Sequence, residues 1–397
     1  MFIKEKNKIN FVIGNMDFEK GPIGIFNSEV INFLNTLSNT VAKNPKAKKF
    51  PDLVSFSFWC RKSNLLKLKQ NYTKKELVVG KGTVLHICPS NVPMNYAYSF
   101  AFGLLSGNNN IVRLPERNFI QVNLLNNTIK KILKSKNFKN IKNKICFIKY
   151  KKTDNVTEDL SKLVNARLIW GGDKTISEFK KHYTNPRCLD LYFANRYSIS
   201  IINTKKASQL VTEELKLLVN KFYNDTYIMD QQGCSSPQAL FWVGKKNSQI
   251  KKKFWNILND ITKKKYTNDV SVTNKKIFSV QDLIIKSKLE LVSDKKNIQI
   301  IKLKTKKLSK EIENLQCHFG TFIEADISGL KGLKSIITNR YQTLTYFGFD
   351  KDEIKTFILK NNPAGIDRIV PFGRAFDMSP IWDGYDIIQT LSRIIGE

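Results

Sequence analysis

The sequence predicts an α/β protein built from two units in which parallel strands alternate with helices. Three observations carry that reading. From Leu77 onward, short apolar runs exchange regularly with stretches of helical length and spacing, which implies right-handed crossovers and a parallel sheet. The chain has 397 residues, enough for two or three domains at about 150 residues each. Finally, the polar segment QQGCSSPQA (231–239) falls between a helical stretch and an apolar strand, opening a second round of alternation.

Taken in order, residues 1–75 mix short apolar and polar runs, and Ile31–Leu37 and Leu65–Leu68 read as pieces of helices. VLHI (84–87) reads as a strand, 94–106 as a helix, IVRL (111–114) as a strand and 118–134 as a helix. The series continues with a strand at 145–149, a helix near 157–165, the strand ARLIW (166–170) and a helix opening after GGD (171–173). This is a doubly wound, nucleotide-binding texture. After the strand SISII (198–202), residues 206–223 carry Leu210, Leu215, Leu218, Val219 and Phe222 at helical spacing, and ALFWV (239–243) follows as a strand. Further alternation runs to about residue 350. The expected organisation is an N-terminal and dinucleotide-binding domain (1–203), a catalytic domain (204–365) and a closing C-terminal segment (366–397). No internal repeat or Pro/Gly-rich tether separates them.

Composition narrows the function classes. The formal net charge is +32, which invites a nucleic-acid reading, yet ten arginines stand against fifty-six lysines, spread thinly along the chain. Phosphate and base recognition draws heavily on the planar guanidinium, so the basic residues read as solvated surface able to attract anionic ligands. The expected partners therefore exclude nucleic acid. Six cysteines at 60, 88, 146, 188, 234 and 317 form no CxxC pair and no zinc or disulfide pattern, so they are expected to be reduced thiols, with no metal bound. No signal peptide and no eighteen-residue apolar run is present, which leads us to expect a cytoplasmic protein without a membrane span.

Cys234 is the candidate nucleophile. A structural cysteine usually sits in an apolar run, whereas this one lies among Gly, Ser and Gln with Pro237 three residues on. Cys88 also borders a loop, but it closes an apolar strand and reads as core. In CPSNVP (88–93), the Asn91 amide can donate to an oxyanion, although the residues alone favour a simple turn before Pro93. Arg113 and Glu116 fall at a strand end, where open α/β sheets line a ligand crevice, and a surface ion pair is an equal reading. In WGGDKT (170–175), Gly172 and Asp173 open a helix that can hold a phosphate, with Asp173 read as the N-cap. His318 can serve as a proton donor, against a packing role that imidazoles fill more often. No GxGxxG fingerprint follows any strand, which weakens a standard dinucleotide-binding reading.

The blocks GTVLHICPSNVP, GLLSGNNNIVRLP, WGGDKTI, QQGCSSPQ and RIVPFGRAFDMSPIWDGYDII, in this order, resemble the LuxC-type acyl-CoA reductases of the aldehyde dehydrogenase superfamily over roughly residues 77–397. The resemblance implies an aldehyde-dehydrogenase-like fold: a Rossmann-type cofactor domain, an α/β catalytic domain and an active site between them. It places Cys234 on the nucleophile and Asn91 on the oxyanion-hole asparagine, with the Cys234 N–H as second donor. Arg113 and Glu116 fall on the residues that hold the adenosine ribose, Gly172 and Asp173 on the helix start that carries the pyrophosphate, and PFGRA (371–375) on a segment closing the fold near the active site. Two departures stand out. YFANR (192–196) lacks the glutamate that activates water in hydrolytic relatives, the nearest acid being Asp190, and Cys317 stands where a nicotinamide-ribose glutamate often lies.

The implied reaction is NADPH-dependent reduction of an acyl thioester, acyl-CoA or a related carrier, to an aldehyde through an acyl-enzyme on Cys234. A missing base suits a reductase, because the acyl group must survive until hydride arrives. Two alternatives are an NAD-linked acylating aldehyde dehydrogenase, using NADH, favoured by Glu116 and acting on a short or pathway-specific acyl thioester, and a non-catalytic subunit of an acyl-transfer complex. The resemblance also implies a homo-oligomer and acyl-protein synthetase and transferase partners.

Overall fold

The computed structural model describes residues 5–72, 77–89, 91–266, 289–295, 297–303 and 310–396, with Lys276 and Gln281 besides. The chain divides into two compact units, residues 1–194 with 378–397, and residues 195–377.

The first unit is organised by a six-stranded sheet. Its strands are β1 (Asn10–Ile13), β3 (Thr83–Ile87), β4 (Asn109–Arg113), β5 (Ile145–Lys149), β6 (Ala166–Trp170) and β7 (Leu189–Phe193), while β2 (Leu77–Gly80) lies outside it. The order is β1-β5-β4-β3-β6-β7, parallel throughout except for the antiparallel edge strand β1. Starting at β3, the chain winds outward through β4 and β5, then returns to the other side for β6 and β7, so the switch point lies between β3 and β6. Helices Asn95–Leu105, Ile120–Ile132 and Val156–Leu163 make the crossovers. Strands buried on both faces tend to be apolar almost continuously, as β5 (ICFIK) and, but for Arg167, β6 (ARLIW) are, whereas β4 (NNIVR) buries two asparagines at its start. The run GNNN (107–110) has a structural reason here. Gly107 adopts φ +83°, and a Cβ there would meet the Ile23 carbonyl, while Asn108 and Asn110 bond the backbone of Leu391, Gly82 and Lys144.

The second unit carries a seven-stranded sheet. It contains β8 (Tyr197–Asn203), β9 (Pro237–Val243), β10 (Leu289–Lys295), β11 (Ile298–Leu303), β12 (Thr321–Ile327), β13 (Tyr341–Phe347) and β14 (Arg368–Pro371), in the order β10-β11-β12-β9-β8-β13-β14. Only the β10–β11 pair is antiparallel. Alternate residues feed two cores. Ile199, Ile201, Phe241 and Ile323 face one side, and Ile202, Leu240, Trp242 and Phe322 face the other.

Three expectations need correcting. The strand at 198–202 belongs to the second sheet, because its neighbours are β9 and β13. The stretch 206–223 is two helices, Thr204–Ser208 and Thr212–Thr226, because the chain turns extended at Val211 (ψ 163°) before the second begins. The C-terminal tail also divides. β14 closes the second sheet, while β15 (Ile381–Trp382), β16 (Tyr385–Asp386) and β17 (Ser392–Ile395) belong to the first unit, where β17 pairs β2. No helix among the described residues is long and apolar enough to cross a membrane.

Candidate active site

In the first unit the sequence-predicted residues gather at the carboxyl ends of the strands. Asn91 is exposed in the loop after β3, Arg113 ends β4, and Gly171 and Gly172 follow β6. The loops after β3 and β6 flank the switch point, where open α/β sheets bind ligands. Ser90 of CPSNVP lies outside the described residues.

Arg113 donates to the exposed Glu116 carboxylate and to the Tyr150 carbonyl, and its guanidinium lies 4.6 Å from the Tyr150 ring centre. The pair therefore exists as an ion pair standing at the crevice edge. At the next loop the expected cap shifts by one residue. Gly172 is the N-cap of the helix Asp173–Phe179, with φ −68° and ψ 164°, and Asp173 takes the first helical position. Glycine adopts that backbone without cost, and an acid in the first turn is favoured by the helix dipole in either place.

Asp190, the acid nearest the departed base, is committed elsewhere. It receives two bonds from Arg167, 2.6 Å from Nε and 2.5 Å from Nη2, and a short one from the Tyr192 hydroxyl. Arg167 is only 1% exposed, so its charge requires this partner. Cys88, expected as core, is instead partly exposed like Cys234, while desolvation by its surroundings raises its thiol above the ordinary range.

In the second unit the predicted residues lie at the opposite, amino ends of the strands. Cys234 precedes β9 and is partly exposed. Its loop is held by buried polar contacts. Asp230 and Gln231 take positive φ (51° and 59°). The Gln231 amide donates to the carbonyls of Pro237 (2.9 Å) and Thr321 (2.8 Å), and its Oε1 accepts from Gly320 N–H. The Ser198 hydroxyl on β8 donates to the Cys234 carbonyl at 2.7 Å. Gln342 on β13 donates its Nε2 to the Cys234 sulfur at 3.4 Å.

The PFGRA segment is fastened to the same edge. Asp225, buried near the end of the helix Thr212–Thr226, accepts from Gly373 N–H (2.7 Å) and Ala375 N–H (2.9 Å), while its own carbonyl takes the Ser236 hydroxyl. Burial raises the Asp225 carboxyl to about 7, against the two N–H donors and Arg368, which lower it. Arg368, opening β14, donates to the carbonyls of Arg374, Ala375 and Asp377. Burial lowers its pKa, and the charges of Asp377, Cys234 and Asp225 push it back, so the guanidinium lies within electrostatic reach of the sulfur.

His318, the expected proton donor, is half-buried. Its Nδ1 faces the Gln231 carbonyl at 3.4 Å, an acceptor only, so Nδ1 carries the proton. Burial lowers its pKa, favouring the neutral ring with Nε2 bare. Cys317 is fully buried in one core, and burial pushes its thiol up to about 12, so it holds no ribose from that position. Sequence reasoning did not find Ser198, Gln342, Asp225 or Arg368. Among the described residues no cluster of His, Cys, Asp and Glu could hold a metal ion.

Comparison with known proteins agrees with this architecture. The model of the family described as Acyl-CoA reductase (LuxC) matches residues 61–394. No curated protein matches the sequence. Among solved structures, a salicylaldehyde dehydrogenase from Pseudomonas putida G7 is similar with a TM-score of 0.64 at 13% identity, covering 95% of this chain and 86% of that one. An NAD-dependent benzaldehyde dehydrogenase from Corynebacterium glutamicum gives 0.63 at 9% identity, covering 93% and 84%. A glyceraldehyde-3-phosphate dehydrogenase from Methanocaldococcus jannaschii, complexed with NADP, gives 0.59 at 13% identity, covering 93% and 88%. The fold is that of the aldehyde dehydrogenases.

Proposed function

Because the chain belongs to the acyl-CoA reductase (LuxC) family, we propose that it reduces an acyl thioester to an aldehyde through an acyl-enzyme on Cys234, using NADPH. The observation that supports this most is the setting of Cys234: a partly exposed thiol in a polar loop whose sulfur receives an amide N–H from Gln342.

The first unit fits a dinucleotide. Its strand order puts a switch point between β3 and β6, where open α/β sheets bind ligands, and by the resemblance Arg113 and Glu116 would hold the ribose and the helix start at Gly172 and Asp173 the pyrophosphate. A bound reduced nicotinamide supplies the hydride. Cys234, as thiolate, forms its S–C bond to the acyl carbonyl while the carrier C–S bond breaks, and the carrier thiol leaves with a proton from solvent. The family resemblance assigns oxyanion donation to Asn91 and to the Cys234 N–H, and collapse of the reduced carbonyl releases aldehyde and restores the thiolate. Acyl-CoA or another acyl carrier is the substrate class, and synthetase or transferase partners and a homo-oligomer accord with the family.

One observation favours a second reading. Glu116, which the resemblance assigns to the adenosine ribose, presents an exposed carboxylate that would repel a 2′-phosphate there, which suits NADH. Steady-state rates with acyl-CoA separate the two: kcat/KM higher for NADPH supports the proposal, and equal or higher values for NADH reverse the cofactor assignment. In the same assay Cys234→Ala should make no aldehyde with either cofactor, and retained aldehyde formation would reject the thiol mechanism.

A further inference from the structure

We propose that Gln342 holds and aims the Cys234 sulfur, as a donor that cannot become a base. The inference rests on Cys234 being the acyl-accepting nucleophile. Gln342 is the second residue of β13, only 1% exposed, and its Nε2 lies 3.4 Å from Sγ. At the other end the Thr343 hydroxyl donates to Gln342 Oε1 at 3.2 Å, which sets the NH2 group toward the sulfur.

The backbone is built to aim this side chain. Between β8 and β13 the pairing jumps from Tyr197↔Tyr341 to Ile199↔Leu344, so β13 carries one extra residue beside Ser198. Between β8 and β9 it jumps from Ser198↔Pro237 to Ile199↔Ala239, so β9 carries one extra residue at the same level. Ser198 sits between both irregularities and fills them, accepting from Thr343 N–H at 3.2 Å and donating to the Cys234 carbonyl at 2.7 Å. Such irregularities re-aim side chains at the ends of sheets. Here one delivers the Gln342 amide, and the other sets the loop that carries Cys234.

The chemistry suits an acyl-enzyme that must outlast its exposure to water. A primary amide stabilises a thiolate by a charge-assisted hydrogen bond and stays neutral at every working pH. A carboxylate at that position would repel the thiolate and could draw a proton from water. Among the described residues, Arg368 from β14 shares an electrostatic interaction with Cys234, and Asp225 and Asp377 act on that guanidinium in turn; His318 turns its Nδ1 to the Gln231 carbonyl. Arg368 supplies the positive potential, and Gln342 supplies the direct bond.

The test is the pH profile of Cys234 alkylation by iodoacetamide in the full-length protein, followed by mass measurement of the peptide that contains it. In Gln342→Leu the midpoint should rise by about one pH unit, about a tenfold slower rate on the low-pH side. Gln342→Glu, nearly isosteric, should rise further, and it alone decides the matter if the leucine variant does not fold. Wild-type midpoints in folded variants would overturn the proposal, since a merely structural role would not move them. Alkylation needs neither thioester nor cofactor, so the outcomes are separable. A protein that shows the shift but never takes an acyl group at Cys234 overturns the proposed function alone. An unmoved midpoint in a protein that does acylate overturns the role of Gln342 alone.

Discussion

The two parallel sheets present their site residues at opposite ends of their strands. In the first unit, Asn91, Arg113 and Gly172 follow the carboxyl ends of β3, β4 and β6, around a switch point that the strand order creates. In the second, Cys234, Ser198, Gln342 and Arg368 stand at the amino ends of β9, β8, β13 and β14, which are consecutive neighbours in the sheet. The first arrangement is general to open α/β sheets, because helix starts and free N–H groups collect at that edge. The second has no such general cause. It is assembled from particular side chains, a pair of register irregularities and a buried carboxylate that pins the PFGRA segment. A ligand crevice can therefore come from topology, whereas a nucleophile site has to be built residue by residue.

The sharpest way to separate the two edges is to remove a donor from the first and read the second. Asn91→Ala should lower kcat for aldehyde formation by about 10²–10³-fold, the cost of losing one oxyanion donor, or about 2.7–4 kcal/mol. The rate of Cys234 alkylation should stay at its wild-type value. Unchanged turnover would return Asn91 to the turn-closing role.

A smaller effect tests the pin beneath the amino edge. Asp225 titrates at about 7 in the folded protein, against an ordinary value of 3.8. Its preference for the proton adds stability that is full below about pH 4 and is lost as pH rises through 7. The difference in melting stability between wild type and Asp225→Asn should therefore move against wild type from pH 5 to pH 8, by at most about 1.4 kcal/mol per pH unit. A flat difference across that range would mean the carboxylate is better compensated by Gly373, Ala375 and Arg368 than its burial suggests.

The smallest effect is expected at His318. With Nδ1–H directed to the Gln231 carbonyl and Nε2 bare, the resting ring has no proton to give, so His318→Asn should reduce turnover by less than about tenfold. A loss of a hundredfold or more, with the pH profile losing its acidic limb, would restore the histidine as the proton donor.

Most of the first unit was legible because its strands are short apolar runs separated by helices of crossover length, a pattern that burial on both faces imposes directly. The shift from Asp173 to Gly172 as cap escaped, since a glycine cap leaves no side-chain signature. In the second unit the thiol at 234 stood out by its polar setting, but its partners did not. Gln342 lies 108 positions away in a strand of ordinary composition, and only a one-residue change of register directs it to the sulfur. Asp225 and Arg368 are likewise a helix acid and a strand-opening base until the fold brings both to PFGRA. Arg368 lay inside a recognisable block, yet nothing local to it announces a charge near a thiol.

The central claim is that Cys234 accepts an acyl group and keeps it in the absence of a reductant. Incubating the full-length protein with an acyl-CoA and no nicotinamide cofactor, then measuring the mass of the peptide containing Cys234, tests it directly. The expected result is a stable acyl adduct on Cys234 that disappears as aldehyde when reduced cofactor is added. An unmodified Cys234, with the acyl-CoA intact or hydrolysed, would contradict it.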